Sequence, residues 1–263
     1  MKKLLNGMMI LLLLCFCSCA EEEAETTSGI IEGESAMMGD SSIQTWAELD
    51  DDGVVIRVGF NAGASGLDAL TDEEHLVVQW PEAVQSQTFF NHLGLDFQNE
   101  GHGPPPYLFP HFDVHFYGVS PTDNAAIDCV EEPLPEGLEA GVPASGNDYV
   151  PDFYLIPSTA LDPDGTCVPG MGVHAVDVRS PELHEEPEFF TTTLVLGYHN
   201  GALTFLEPMV TQEYLAARSE WGWDVPRPNI LGRSVLWPAR FEATYDAESD
   251  TYSFEFSDFS AID

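Results

Sequence analysis

The chain has 263 residues, 45 of them acidic and 8 of them lysine or arginine, for a net charge of −37. Both lysines, Lys2 and Lys3, stand at the start, so beyond them six arginines face all the acids, 6 − 45 = −39. Such a field repels nucleic acid and anionic membrane surfaces. A body without lysine also excludes a phosphate-loop nucleotide site and Schiff-base chemistry.

In chain order, Lys2 and Lys3 precede an apolar run from about Met8 to Cys17. A bilayer-spanning helix takes about 20 residues, so this run is too short to cross and matches the apolar part of a signal peptide. It closes on Cys17-Ser18-Cys19 before a block of acids, which resembles a bacterial lipoprotein signal. The resemblance implies a signal over residues 1–18 and export. It also implies a lipid anchor on Cys19 in a bacterial membrane, with Cys17 as the alternative and ordinary secretion as the plainer one. Residues 19–45 are acidic and small, without sustained periodicity, and predict a flexible tether. Residues 46–263 then form a single domain.

Short β-branched or aromatic runs bounded by Gly, Pro and Asp predict strands at 53–60, 75–80, 113–119, 152–157 and 172–178. Asn200-Gly201 sits inside "TTTLVLGYHNGALTFLEPMV", a strong hairpin signal that sets Tyr198 opposite Leu203 and Leu194 opposite Glu207. Residues 239–259 read as a second hairpin. Two helices are predicted, one over 82–97 from an apolar stripe of Val84, Phe89, Phe90, Leu93 and Phe97. The other spans 211–221, with Thr211 as N-cap. The fold class is mainly β, an antiparallel sandwich or distorted barrel with one or two short helices. Outside the signal only Cys129 and Cys167 remain, and in an oxidising exported compartment they pair as one disulfide.

"PHFDVHFYG" places His111, Asp113, His115 and Tyr117 on one strand face. Alternation in "MGVHAVDV" and "GALTFLEPMV" sends His174 and Glu207 inward, where an unpartnered carboxylate or imidazole is costly. A shared divalent metal, zinc or alternatively iron, would satisfy them all. Same-face neighbours stand about 6.6–6.8 Å apart and His111 and His115 about 13 Å, so those two do not share an ion on a straight strand. His115, His174 and Glu207 are the expected metal ligands. His102, in the Gly/Pro-rich "NEGHGPPPYLFPH", joins His111 and Asp113 as catalytic candidates for proton transfer and ligand orientation. No Gly-x-Ser-x-Gly stands in the chain, so a nucleophile-elbow hydrolase is unsupported.

Gly101-His102 with Pro104-Pro105, Pro110 to Tyr117, Met171-Gly172-Val173-His174 and Glu207-Pro208-Met209 together resemble a family of exported bacterial proteins that carries a domain of unknown function. Gly103 and Val114 depart from its pattern, which has a glutamate and a phenylalanine there. That family brings no established activity. Three functions stay open: zinc-dependent hydrolysis or hydration of a small solute, a non-catalytic metal- or ligand-binding module, and a non-haem iron oxygenase using His111, Asp113 and His174.

Overall fold

Alternating apolar and polar residues make strands the main regular structure of this chain. The computed structural model describes residues 28–130, 132–157, 167–184 and 190–263. The expected signal and Cys19 lie outside the described residues. The first half contributes β1 (Gly29–Met38), β2 (Ser41–Leu49), β3 (Val55–Gly63), α1 (Ala64–Asp68), β4 (Glu74–Gln79), α2 (Glu82–Gln87), β5 (His92–Gln98) and β6 (His111–Tyr117). There follow α3 (Pro121–Ala125), β7 (Tyr154–Leu155), β8 (Cys167–Val168), β9 (Gly172–Asp177), β10 (Thr192–His199), β11 (Ala202–Thr211) and α4 (Gln212–Ala216). The chain closes with β12 (Trp221–Asp224), β13 (Val235–Trp237), β14 (Arg240–Asp246), β15 (Thr251–Ser257) and β16 (Ser260–Ile262).

One sheet runs β1-β2-β3-β15-β14-β12, and a second runs β4-β5-β6-β11-β10-β9-β7 with β8 beside β9. The pairings within both are antiparallel. Their inner faces meet through aromatic rings. Phe116 of β6 lies 4.7 Å from Phe256, 5.2 Å from Trp80, 5.3 Å from Phe90 and 6.1 Å from Phe60, centroid to centroid. The two sheets stay open, so the fold is a sandwich rather than a barrel.

Several elements differ from expectation. The stretch expected as tether up to residue 45 carries β1, whose residues mostly alternate between half-buried and exposed, and the first part of β2, which is largely buried. The helix expected over 82–97 stops at Gln87, because Thr88 is extended and Phe89 and Phe90 turn into the sandwich. From His92 the period is two: Leu93, Leu95 and Phe97 join the core, while His92, Gly94 and Asp96 face away. The strand expected over 152–157 shortens to two residues between prolines 151 and 157. Thr211 does cap α4, its hydroxyl accepting from the Tyr214 N–H.

The hairpin at Asn200-Gly201 forms, with a β-bulge. Tyr198 pairs with Leu203, but Gly197 pairs with Phe205, so Thr204 is an extra residue on β11. Val195 rather than Leu194 therefore lies opposite Glu207. One inserted residue exchanges the faces of everything beyond it. Leu203 enters the sandwich core, while Phe205, Glu207 and Met209 face the other side. Cys129 and Cys167 are disulfide-bonded, tying the segment after α3 to β8. Closing that loop stabilises the fold by roughly 2–4 kcal/mol.

Candidate metal centre

The outer face of the second sheet holds the site. β5, β6 and β11 are buried along nearly their whole length, so both faces of this sheet are covered. A smaller apolar cluster of Tyr107, Val176, Phe190, Val195 and Met209 packs on the outer side. In-register pairing lines up Asp96 with Asp113, Gly94 with His115, and Asp113 with Met209. Gly94 has to be small: a Cβ there would stand 2.8 Å from the Tyr117 ring, which stacks on His115.

His102 reaches this face from the loop between β5 and β6. Gly101 takes a left-handed φ of +68°, and its Cα lies so close to the Tyr107 carbonyl that a Cβ would stand 2.2 Å from that oxygen. The His102 N–H donates to the same carbonyl, and the Tyr107 N–H donates to Pro104, folding the loop back over the sheet. His102 Nε2 then lies 3.1 Å from Asp113 Oδ2 and 3.2 Å from His111 Nε2, and His111 Nε2 lies 3.0 Å from Asp113 Oδ1.

The other nitrogens of these two rings decide what that closeness means. His111 Nδ1 donates to the Phe109 carbonyl at 2.6 Å, and His102 Nδ1 donates to the Gly103 carbonyl at 2.9 Å. Carbonyls only accept, so both Nδ1 atoms carry hydrogen and each neutral ring aims an Nε2 lone pair at its neighbour. Lone pairs facing each other and a carboxylate repel unless a cation lies among them. A proton or a metal ion can be that cation. Ligands about 2.0–2.1 Å from a tetrahedral zinc stand roughly 3.3 Å apart, close to the spacing found here. The Asp113 hydrogen bond raises His102 to about 9, so a proton takes the role when no ion is bound. Burial pushes the Asp113 carboxyl up, but hydrogen bonds from His102 and His111 outweigh it and hold it well below the usual carboxylate range.

A second group adjoins the first. His115 Nε2 lies 3.3 Å from Glu207 Oε1, and His174 Nε2 lies 3.9 Å from Glu207 Oε2. His115 Nδ1 lies 3.4 Å from Asp96 Oδ2, and the other Asp96 oxygen lies 2.5 Å from His75 Nδ1. Burial drives Glu207 upward, and although burial lowers His115, the fields of Glu207 and Asp96 outweigh it and drive His115 upward, so both groups favour their protonated forms when no ion is present. Burial lowers His174 to about 4, which keeps its ring neutral and its lone pair free at neutral pH. Among the described residues no arginine joins either group: Arg57 pairs with Glu48 and Glu255, and Arg179 pairs with Asp177.

The structure thus brings all six expected residues onto one face, in two threes: His102, His111 and Asp113, and His115, His174 and Glu207. His174 and Glu207 do point into packed surroundings, though on the outer side rather than in the sandwich core. The oxygenase set of His111, Asp113 and His174 is divided between the groups, with His102 where His174 was expected. Asp96 is a member that sequence reasoning missed. Its signal was the alternation His92, Gly94, Asp96, hidden by reading 82–97 as a helix. His102, His174 and Glu207 border a cavity of about 390 Å³, otherwise walled by Gly103, Pro104, Tyr107, Pro157, Val168, Val176, Val195 and Met209. No protein-family model, curated protein or solved structure matches the chain.

Proposed function

We propose that this protein is an exported, lipid-anchored metalloprotein that holds a divalent transition metal, zinc first, on His102, His111 and Asp113. Beside the ion, the apolar cavity receives a small solute for hydrolysis or hydration. What carries the reading is the pair of Nε2 atoms 3.2 Å apart over one carboxylate, each with its Nδ1–H fixed on a backbone carbonyl. Such second hydrogen bonds set the tautomer and aim of metal-binding histidines. The disulfide and the N-terminal sequence support export.

A bound zinc supplies Lewis-acid polarisation of a water or carbonyl. The chain supplies the rest. Val176, Val195, Met209 and Tyr107 give the cavity an apolar wall. Burial raises Glu207 at the cavity wall, so with no ion beside it the carboxyl keeps a proton near neutral pH. His174, mostly buried and neutral, offers a hydrogen-bond acceptor at the cavity wall. A non-catalytic metal-binding module is the second reading, favoured because His111 and Asp113 are almost wholly buried. Metal removal separates the two: loss of a structural ion unfolds the chain, whereas loss of a catalytic one leaves a folded apo-protein.

Zinc titration of the full chain tests the reading, with free thiols blocked by iodoacetamide so that Cys15, Cys17 and Cys19 bind no metal. Because His102 stands near 9 without an ion, zinc must displace its proton at neutral pH. Apparent affinity is then expected to rise about tenfold per pH unit from about 7 toward 9 and to level off beyond. No zinc binding, or affinity flat across that range, contradicts the assignment.

A further inference from the structure

We infer that His115, His174 and Glu207 form a second divalent-metal site, so that the protein carries two ions side by side along one cavity wall. The inference deepens the proposed function and rests on its claim that this face binds metal.

The second group repeats the logic of the first. His115 has its Nδ1 directed at the Asp96 carboxylate, the carboxylate–histidine arrangement that orients metal-binding imidazoles. Its Nε2 then points at Glu207 Oε1, 3.3 Å away, which is the separation of two ligands on a tetrahedral ion and longer than a good hydrogen bond. His115 and Glu207 are 1 % and 2 % exposed. Neither His115 nitrogen has a hydrogen-bond partner, and Glu207 Oε2 has none. Of these, Glu207 Oε2 faces His174 Nε2 at 3.9 Å, and the His174 side chain retains 21 % exposure and opens onto the cavity. A core His–Glu pair built for stability alone would close to a short hydrogen bond. This one is held apart, with a third nitrogen beside it.

Charge points the same way. Asp96, Asp113 and Glu207 are three buried carboxylates on neighbouring strands, and among the described residues no arginine pairs with any of them. One divalent ion on Asp113 leaves Asp96 and Glu207 to be balanced by protons on Glu207 and the histidines; a second ion can take the place of those protons. Asp113 and His115 are alternate residues of β6, so the two groups lie about one strand repeat apart. His102 from the first and His174 and Glu207 from the second border the same cavity.

Equilibrium dialysis of the thiol-blocked full chain against zinc chloride reads the stoichiometry. Expected are two ions per chain for the unsubstituted protein, and one each for His174→Ala and His111→Ala. Glu207→Gln, which keeps the side-chain shape, should match His174→Ala, and near-ultraviolet circular dichroism reports whether each variant keeps its packing. One ion that survives both His174→Ala and Glu207→Gln but not His111→Ala overturns the second site and leaves the proposed function standing. One ion lost with His174→Ala but kept by His111→Ala overturns the paired arrangement and moves the metal to the second group. No bound zinc at all overturns the proposed function itself.

Discussion

His111→Ala is expected to weaken zinc binding at the first group by roughly a hundredfold or more, since even residues that only orient ligands cost 10–100-fold. The ring lies wholly buried beneath Phe190, with Nδ1 on the Phe109 carbonyl and Nε2 toward Asp113. Its removal leaves Asp113 with His102 alone, a pair that takes a proton more readily than an ion. Asp113→Asn should fall as far by a different route. It takes away the negative ligand and also releases His102 from the carboxylate that holds it near 9. Competition against a chromophoric zinc chelator measures both. Unchanged affinity in either variant would remove this group from metal binding.

The second large effect lies in the sandwich. Phe116→Ala is expected to destabilise the fold by about 3–5 kcal/mol, from lost transfer energy and the cavity left behind. Phe116 is fully buried and touches the rings of Phe60, Trp80, Phe90 and Phe256, two of them from the opposite sheet. No single neighbour can move in to fill its place without leaving another. Ile30→Ala, on an edge strand and 65 % exposed, should change stability by no more than about 0.5 kcal/mol. Urea denaturation of both variants decides this. Similar midpoints would mean that the sheets do not pack through Phe116. Because Phe116 and His115 point to opposite faces of β6, the same strand carries the core and the site.

That division explains what could be read in advance. The strands of β4, β6 and β9, the Asn-Gly hairpin and the terminal hairpin follow from alternation and turn chemistry, which are local properties. The histidine-rich face of β6 was visible for the same reason, as was the separation of His111 from His115. Thr204 was not. A bulge is one extra residue with no composition of its own, yet it decides that Val195 rather than Leu194 lies across from Glu207. Nor could alternation tell the sandwich core from the outer cluster, since both bury apolar residues and His174 and Glu207 read as inward in either. β1 escaped because an edge strand with acids and little full burial before Met38 resembles a tether in composition. The partner His102 finds depends on how Gly101 turns its loop back over the sheet, and nothing in sequence spacing encodes that contact.

X-ray absorption at the zinc edge addresses the metal directly, on thiol-blocked full chain loaded with one equivalent. Expected is a first shell of nitrogen and oxygen at about 2.0–2.1 Å with the outer-shell scattering of at least two imidazoles. A sulfur shell near 2.3 Å, or a spectrum of hydrated zinc without imidazole scattering, would contradict a metal held by these histidines.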